Sequence, residues 1–326
     1  ETLDVLVSLI AKYMINNGLS CLSKNEAKEI FKGYLAERNL QLDHNELFSD
    51  LLDRSGIVVE DASNCTISFK HRSFAEFFYA KSLMLEHNVD INSNIFHPYW
   101  MNSYFFYVGL KRDCPELLEK IIDLPIKSEG HRFSRLVNLG GFLLAGYQSP
   151  YGTIEKGIKS IFLDAGQYYD EIFEKTNNSF LSKLPPMHLF GLFTSIIVQG
   201  YKYKFFENSI SKLIEDIATQ PRSLEGKQYT LFFLDNIRYQ MGGDALFDNL
   251  LDMYGDKLPT TIQLAVAQES KRLSYSSPAI KKTQKRIRKH ARTSQAYRLS
   301  VNKLYEESID GSLTIDSHGM KKEKST

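Results

Sequence analysis

Positive side chains are concentrated near the end of this chain of 326 residues. Between Ser270 and Tyr305 the sequence has eleven Lys and Arg residues and no Asp or Glu. Only 29 of the 40 basic residues are left to balance 39 acidic ones elsewhere, although the net charge of the whole chain is +1. An acidic body therefore carries a basic segment near its C-terminal end.

One interpretation of this segment is that it binds phosphate groups, because clustered cations attract them. Docking on an acidic surface, of the same chain or of a partner, and a solvated helix face are the others. The candidate contacts for nucleic acid or phosphate lie within a stretch of twelve residues. They are Lys281, Lys282, Lys285, Arg286, Arg288, Lys289 and Arg292.

A second candidate for phosphate chemistry is His71. It lies between an alternating polar and apolar segment, Thr66 to Lys70, and a helix predicted from Phe74 to Leu85. An imidazole at a helix start can donate a hydrogen bond to a phosphate, and the helix N-terminus adds a favourable field. A lone histidine beside a strand end is otherwise usually structural.

Motifs of autonomous enzymes are missing from the sequence. There is no GxxxxGK[ST] phosphate loop, since the single Gly-Lys pair, Gly226-Lys227, is followed by Gln228. HExxH and GxSxG are also absent. We therefore do not expect this chain alone to hydrolyse ATP.

Two weaker catalytic patterns are also unconvincing. Arg38, Asn39 and His44 have the spacing of HEPN ribonucleases, but a capping box at Asp43 breaks the helix that would bring them together. Glu269 and Lys271 supply half of a nuclease motif, with Asp252 or Asp256 upstream. That motif needs strands, whereas this region is predicted to be helical.

Cysteines and hydropathy point to a cytoplasmic protein without a membrane partner. Cys21, Cys65 and Cys114 are far apart and odd in number, so we predict buried, reduced thiols rather than disulfides or zinc. No run of 18 apolar residues and no signal segment is present. The chain begins with Glu1 rather than Met, which indicates a piece of something longer.

The first 88 residues are predicted to form a winged-helix domain. Apolar residues at helical spacing predict a helix from Thr2 to Asn16, and capping boxes at Ser23 and Asp43 open two more. A β-branched run, a turn cluster and the alternating segment then predict a β-hairpin over residues 56–70. Three helices, a hairpin wing and a further helix is the winged-helix order.

Residues 89–308 are predicted to be helical throughout. Expected helices cover 98–110, 115–123, 131–146, 153–174, 186–203, 205–218, 227–240, 243–254, 259–273 and 280–307, with Pro or Gly at most joints. The predicted fold class is mainly α: a winged helix followed by an irregular antiparallel array of the HEAT or TPR kind. Residues 309–326 are predicted to be a disordered tail.

One segment resembles a known family. Residues 55–58 (SGIV) and 67–80 (ISFKHRSFAEFFYA) match the winged-helix pattern of NACHT-type STAND NTPases, which reads approximately SGll followed by ysFxHxxfxEyfaA. The small residues, the aromatic residues, His71 and Glu76 all occupy the positions that the family pattern gives them. The resemblance covers residues 1–85, and the following helices fit the family layout.

The resemblance implies a nucleotide-gated signalling switch, common in antiviral (phage) defence when bacterial. In such proteins ADP is trapped between the nucleotide-binding domain and the winged helix, and the residue at the position of His71 contacts its β-phosphate. The chain would then be the regulatory half of an ATPase whose domain for ATP/ADP and Mg²⁺ lies upstream. Its helical array would recognise a protein trigger or ligand, and activation would produce a homo-oligomer.

The alternative is a helical scaffold that binds nucleic acid through residues 270–305. The third predicted helix is a poor DNA reader, because it carries Asp43, Glu46, Asp50 and Asp53 with one Arg. Beside His71, Arg72 could pair with phosphate, although we expect a solvated surface arginine. We expect Glu76 to be a helix-surface or capping acid. The aromatics of two groups are predicted mainly as core and could also make partner contacts. They are Trp100, Tyr104 and Tyr107, and Tyr201, Tyr203 and Phe206.

Overall fold

The computed structural model describes residues 2–175, 179–221, 226–309, 314–315 and 321–322. Over these residues the chain forms fifteen α-helices and two small antiparallel sheets, which confirms the mainly helical fold class. The chain divides into two compact units. We call residues 1–125 with 145–149 the N-terminal unit, and residues 126–144 with 150–326 the helical unit.

The N-terminal unit begins with three helices and a three-stranded sheet in the order β1-β3-β2, followed by three further helices. Its elements are α1 (Thr2–Asn16), β1 (Leu22–Ser23), α2 (Lys24–Glu37), α3 (His44–Arg54), β2 (Val58–Asp61), β3 (Thr66–Phe69), α4 (Arg72–Leu83), α5 (Met101–Lys111) and α6 (Pro115–Ile122).

Local capping sets the helix starts here as the sequence predicts. The Ser23 hydroxyl accepts a hydrogen bond from the backbone N–H of Glu26, and the Glu26 carboxylate accepts one from the N–H of Ser23. Asp43 caps α3 by accepting from the N–H of Asn45 at 2.8 Å, but the capping box predicted with Glu46 does not form between these described residues.

Strand β1 was not predicted from the sequence. Its two residues pair with β3 through Leu22 opposite Ile67, and both side chains are buried. A pairing this short depends on a partner some 45 positions away, so no local pattern indicates it.

The helical unit contains nine helices in the part of it that the structure describes. They are α7 (Glu129–Ala145), α8 (Tyr151–Lys175), α9 (Pro186–Tyr201), α10 (Glu207–Thr219), α11 (Lys227–Gln240), α12 (Asp248–Tyr254), α13 (Thr260–Arg272), α14 (Pro278–Thr293) and α15 (Gln295–Glu306). Pro occupies the first helical position of α9 and α14, where its missing N–H has no helical acceptor.

Aromatic rings fill the core of the helical unit between α8, α9 and α11. The ring centroids of Tyr169 lie 4.9 Å from Phe190 and 4.6 Å from Tyr229, and Phe190 lies 4.8 Å from Phe232. The backbones of α8 and α11 touch beside this core. Gly226 has φ +70°, and a Cβ there would lie 2.5 Å from the amide nitrogen of Gln167, so only glycine fits.

Two predicted helix bounds are wrong. The single helix expected over 280–307 is two helices, because Ser294 adopts φ −128° and ψ 115° and its hydroxyl accepts from the N–H of Tyr297 to begin α15. The helix expected from 243 begins at Asp248, because Phe247 before it has φ +63° and leaves helical geometry.

The prediction of three buried thiols is wrong for two of them. Cys114 is buried, whereas Cys21 and Cys65 are exposed. Cys21 lies in the loop before β1, and Cys65 lies in the hairpin turn with φ +51°. Loops and turns run over the surface, so both of these thiols are exposed.

The predicted domain bounds, 1–88 and 89–308, stay predictions. The N-terminal unit extends to residue 125. The predicted tail, 309–326, lies mostly outside the described residues. Within it, Ile309 is buried, and residues 314–315 pair with 321–322 as β4 and β5. None of the described helices is long and apolar enough to cross a membrane.

Candidate functional site

His71 occupies the N-cap position of α4. Its backbone is extended, with φ −138° and ψ 143°, and its carbonyl accepts from the N–H of Phe74 at 3.0 Å. Its side chain makes no capping hydrogen bond, and residues 71–73 are all exposed. Because the first N–H groups of a helix lack intrahelical acceptors, the imidazole and the helix start together offer several donors to one anion.

The hairpin fixes the place where α4 begins. Val58 pairs with Phe69, and the N–H of Lys70 donates to the carbonyl of Ile57 at 2.8 Å. The ring of Phe69 then stacks on Phe78 in α4, with centroids 6.3 Å apart. Both neighbours of His71 along the chain are therefore held by regular structure.

The neighbouring Arg72 is already engaged within the protein. Its Nε donates to Glu76 Oε1 at 2.9 Å, a second nitrogen donates to the carbonyl of Tyr99 at 3.1 Å, and the guanidinium lies 4.4 Å from the Tyr99 ring centre. Its side chain is nevertheless 57% exposed. The expectation of a solvated arginine thus holds for its exposure and omits its partners.

The expectation that Glu76 is a surface acid is wrong. Only 4% of its side chain is exposed, and its second carboxylate oxygen accepts from Asn102 Nδ2 of α5 at 3.1 Å. A buried carboxylate needs such partners, and here they come from one residue of the same helix and one from a different helix. Glu76 therefore ties the start of α4 to α5.

Six of the seven basic candidates near the C-terminal end lie together on the outer side of α14. Positions 281, 285, 288 and 292 fall on one face at helical spacing, whereas Ile280 and Thr283 on the other side are buried. We call the six exposed side chains the basic stripe. It consists of Lys281, Lys282, Lys285, Arg288, Lys289 and Arg292.

The basic stripe has no acidic counterpart in the part of the chain that the structure describes. None of its six members forms an ion pair with a described carboxylate. Five of them, all except Lys282, line one shallow groove along the helix. Neighbouring like charges on a helix repel one another. Because no described carboxylate pairs with the stripe, this repulsion is not compensated within the described residues.

The seventh candidate, Arg286, is separated from the others. Its side chain is 17% exposed and forms an ion pair with Asp256. Burial lowers the pKa of its guanidinium from the usual range. Arg286 is therefore a structural residue that anchors α14 and is not presented with the stripe.

Arg298 belongs near the stripe, although the sequence analysis did not include it among the candidate contacts. Its guanidinium donates to the carbonyl of Ala291 at 3.2 Å, which places a further cation at the end of α14. The break at Ser294 allows Arg298 to reach back to Ala291, because α15 begins there as a separate helix.

The catalytic patterns do not assemble. Helix α2 ends at Glu37 and α3 begins at His44, so no continuous helix carries Arg38, Asn39 and His44. Glu269 and Lys271 lie on helix α13, where the Glu269 carboxylate pairs with Arg272. Among the described residues, no three His, Cys, Asp or Glu side chains lie close enough together to hold a metal ion.

The aromatic candidates lie mainly in the core, as predicted. Tyr104, Tyr107, Tyr201 and Phe206 are buried, Trp100 is half-buried, and Tyr203 is 46% exposed. Sequence reasoning missed a groove between α9, α11 and α13. Aromatic side chains and a polar rim line it, among them Phe190, Phe232, Gln199, Gln268 and Arg272.

Comparison with known families gives two matches. The model of the NACHT C-terminal helical domain 1 matches residues 141–312, which is more than half of the chain. The model of novel STAND NTPase 4 matches residues 21–79, which include α2, α3, the hairpin and His71. No curated protein and no solved structure gives a significant match.

Proposed function

Because the chain belongs to the NACHT C-terminal helical domain 1 family and is a C-terminal region of a NACHT-type STAND NTPase, we propose that it is the regulatory and sensing half of a nucleotide-gated signalling protein. In this proposal the N-terminal unit holds ADP in the resting state. The helical unit recognises a trigger and releases that hold.

The topology of the N-terminal unit supports its assignment as a winged helix. Its first elements follow the order helix, short strand, helix, helix and hairpin, and the three strands form the sheet β1-β3-β2. The third helix is acidic and so is unsuited to bind DNA phosphates. The winged helix then serves as a packing module that meets a nucleotide at the start of α4.

The observation that carries the proposal is the state of His71. It is an exposed imidazole at a helix N-terminus, it makes no capping hydrogen bond, and the arginine beside it is bound to Glu76. A phosphate of ADP is an anion that this arrangement suits, since the imidazole and the helix N–H groups can donate to it together. The β-phosphate is the group that the family resemblance assigns to this position.

The remaining parts of the nucleotide site belong to another domain in this proposal. The chain has no GxxxxGK[ST] loop, so the phosphate cradle and the Mg²⁺-binding hydroxyl come from an NTPase domain upstream in the same protein. ATP replaces ADP on activation, and the opened protein assembles into a homo-oligomer. We propose that such a switch works in the cytoplasm and, if the chain is bacterial, in phage defence.

The helical unit offers one described surface for a trigger. The groove between α9, α11 and α13 has a polar rim that includes Gln199, Gln268 and Arg272, and the rings of Phe190 and Phe232 are buried beneath it. Polar groups placed around a recess can orient a bound partner and make its recognition specific. We therefore place the trigger contact there.

The test is ADP release from the longer protein that contains the NTPase domain. We expect His71→Ala to release a fluorescent ADP analogue about 10- to 100-fold faster, because a hydrogen bond to a charged group contributes about 1.5–3 kcal/mol. His71→Gln retains a hydrogen-bond donor, so its rate of ADP release should increase less than that of His71→Ala. The matched control is His87→Ala, an exposed histidine of the same unit.

A faster release by His71→Ala alone supports the proposal, and it should be accompanied by more oligomer without a trigger. Equal release rates for His71→Ala, His87→Ala and the unmodified protein would refute the ADP lock. Circular dichroism of each variant separates a lost contact from a lost fold.

A further inference from the structure

We propose that the basic stripe on α14 binds the phosphate backbone of double-stranded nucleic acid. This function goes beyond the nucleotide switch, because it uses a different unit, a different helix and a polymeric ligand. The stripe consists of the six exposed cations defined above, and Arg298 extends it at the end of α14.

The stripe makes no contribution to the fold that would explain it. Helix α14 is anchored by its opposite side, through buried Ile280 and Thr283 and through the ion pair of Arg286 with Asp256. The outward cations pair with no described carboxylate, and their mutual repulsion opposes helix formation. Six such side chains on one face are therefore available to bind an anionic ligand that is not part of this chain.

The length of the stripe suits a duplex. From position 281 to position 292 a helix rises about 16 Å, at 1.5 Å per residue. A nucleic-acid duplex presents one negative charge per roughly 1.7 Å of its axis, or about ten phosphates over that length. Several cations can thus neutralise phosphates at once, whereas a single nucleotide would engage only one or two.

Side-chain chemistry favours a duplex over a single strand. Single-stranded nucleic acid is usually held by aromatic side chains on which the bases stack. Helix α14 contains no Phe, Tyr or Trp, and the ring of its exposed His290 packs against the half-buried Tyr297, with centroids 5.4 Å apart. Contacts to the backbone alone would therefore supply the affinity, without base readout.

The same composition disfavours a protein partner. Protein interfaces centre on buried aromatic or aliphatic anchors and are depleted in Lys. Four of the six members of the stripe are Lys, and the stripe contains no apolar side chain. At the six positions of the stripe an acidic protein surface would find charges without an anchor, and the nearest exposed large apolar side chain along the sequence, Leu299, belongs to α15.

The test is fluorescence anisotropy with the full chain and a labelled duplex of 24 base pairs, as DNA and as RNA. The test variant is Lys285→Gln/Arg288→Gln/Lys289→Gln. The matched control is Lys120→Gln/Lys204→Gln/Lys257→Gln, which removes the same charge from three exposed lysines outside the stripe. Salt is varied from 50 to 200 mM for each protein.

We expect the test variant to bind at least about tenfold more weakly at low salt, and the control to bind like the unmodified chain. Each lost phosphate contact reduces the magnitude of the negative slope of log affinity against log salt by about 0.9, so three should reduce it by about 2.7. An unlabelled duplex of scrambled sequence should compete equally.

Three results would overturn the proposal. The first is no salt-dependent duplex binding by the unmodified chain, and the second is an equal loss in the test and control variants. The third is stripe-dependent binding of polyglutamate, or of a single strand, in preference to the duplex. Preference for DNA or RNA would define the source of the duplex and leaves the shared chemistry intact.

Discussion

Two groups of charged side chains in the helical unit, one between α7 and α8 and one on α14, are used in opposite ways. Arg132 is 13% exposed and lies between Asp164 and Glu171, at 2.8 and 2.7 Å, with its guanidinium 4.4 Å from the Tyr168 ring centre. The basic stripe on α14 is exposed and has no described acidic partner. Both groups consist of cations, but only Arg132 has acidic partners. Arg132 is therefore a structural cation, whereas the cations of the stripe are available to a ligand.

The same contrast occurs between two consecutive residues of the N-terminal unit. Arg72 is bound to Glu76 and Tyr99, whereas His71 beside it makes no capping hydrogen bond. Residue type alone would have ranked Arg72 as the better phosphate ligand, because its guanidinium is always charged. The partners show instead that Arg72 is committed to the fold.

The largest effect expected from this contrast is on stability at Arg132. Arg132→Ala should lower the free energy of unfolding by about 3–5 kcal/mol, because it leaves Asp164 and Glu171 without their cation in a largely buried place. Urea denaturation measures it.

Arg132→Lys is the matched variant at this position. It keeps the charge but loses the planar fork that meets two carboxylates, so it should lose less than the alanine variant. If Arg132→Ala lowered the free energy of unfolding by less than about 1 kcal/mol, the pairing of Arg132 would not be a major source of stability. The contrast with the unpaired stripe would then fail.

A second effect concerns Asp235, a buried acid whose hydrogen bonds come from neutral groups. It accepts from Asn249 Nδ2 at 2.9 Å and from the N–H of Leu250 at 3.1 Å. Burial raises the pKa of this carboxyl from 3.8 to about 6, against the opposing influence of those hydrogen bonds. The folded protein therefore holds the proton more tightly than the unfolded chain.

The stabilisation by Asp235 should be full below pH 4 and be lost as the pH rises through 6. Asp235→Asn does not titrate, so the unfolding free energy of the unmodified chain should fall relative to this variant by about 2–3 kcal/mol between pH 4 and 7. Urea denaturation at several pH values gives the difference. Parallel pH curves for the two proteins would contradict the assignment.

The smallest effect is expected in the basic stripe. Lys285→Gln/Arg288→Gln/Lys289→Gln should change the free energy of unfolding by less than about 0.5 kcal/mol per substitution, with a slight gain at low salt as repulsion falls. The same urea experiment measures it. A loss comparable with that of Arg132→Ala would mean that the stripe supports the fold, and the contrast would fail.

Local signals made much of the fold predictable from the sequence. The capping box at Ser23, the cap at Asp43 and prolines at helix starts act within a few residues, so the sequence predicted those helix starts well. The turn at Ser294 was missed, because basic and polar residues continue a helical pattern on both sides of it. Its capping hydrogen bond decides between one helix and two.

Long-range partners account for what the sequence could not show at the candidate sites. The ion pair of Arg286 with Asp256 joins positions 30 residues apart, and the burial of Glu76 depends on Asn102 in the following helix. The types of these residues are as compatible with a solvated surface as with the observed pairs. His71 and the basic stripe were predictable because they lie in a sequence motif and in a local charge run.

The most direct test of the nucleotide lock is an experimental structure of the longer protein, with its NTPase domain and bound ADP. The account predicts that a ring nitrogen of His71 lies about 2.7–3.2 Å from a phosphate oxygen of ADP, the normal range of a hydrogen bond. It also predicts that Arg72 keeps its bond to Glu76. An imidazole more than about 6 Å from every phosphate oxygen would contradict the account.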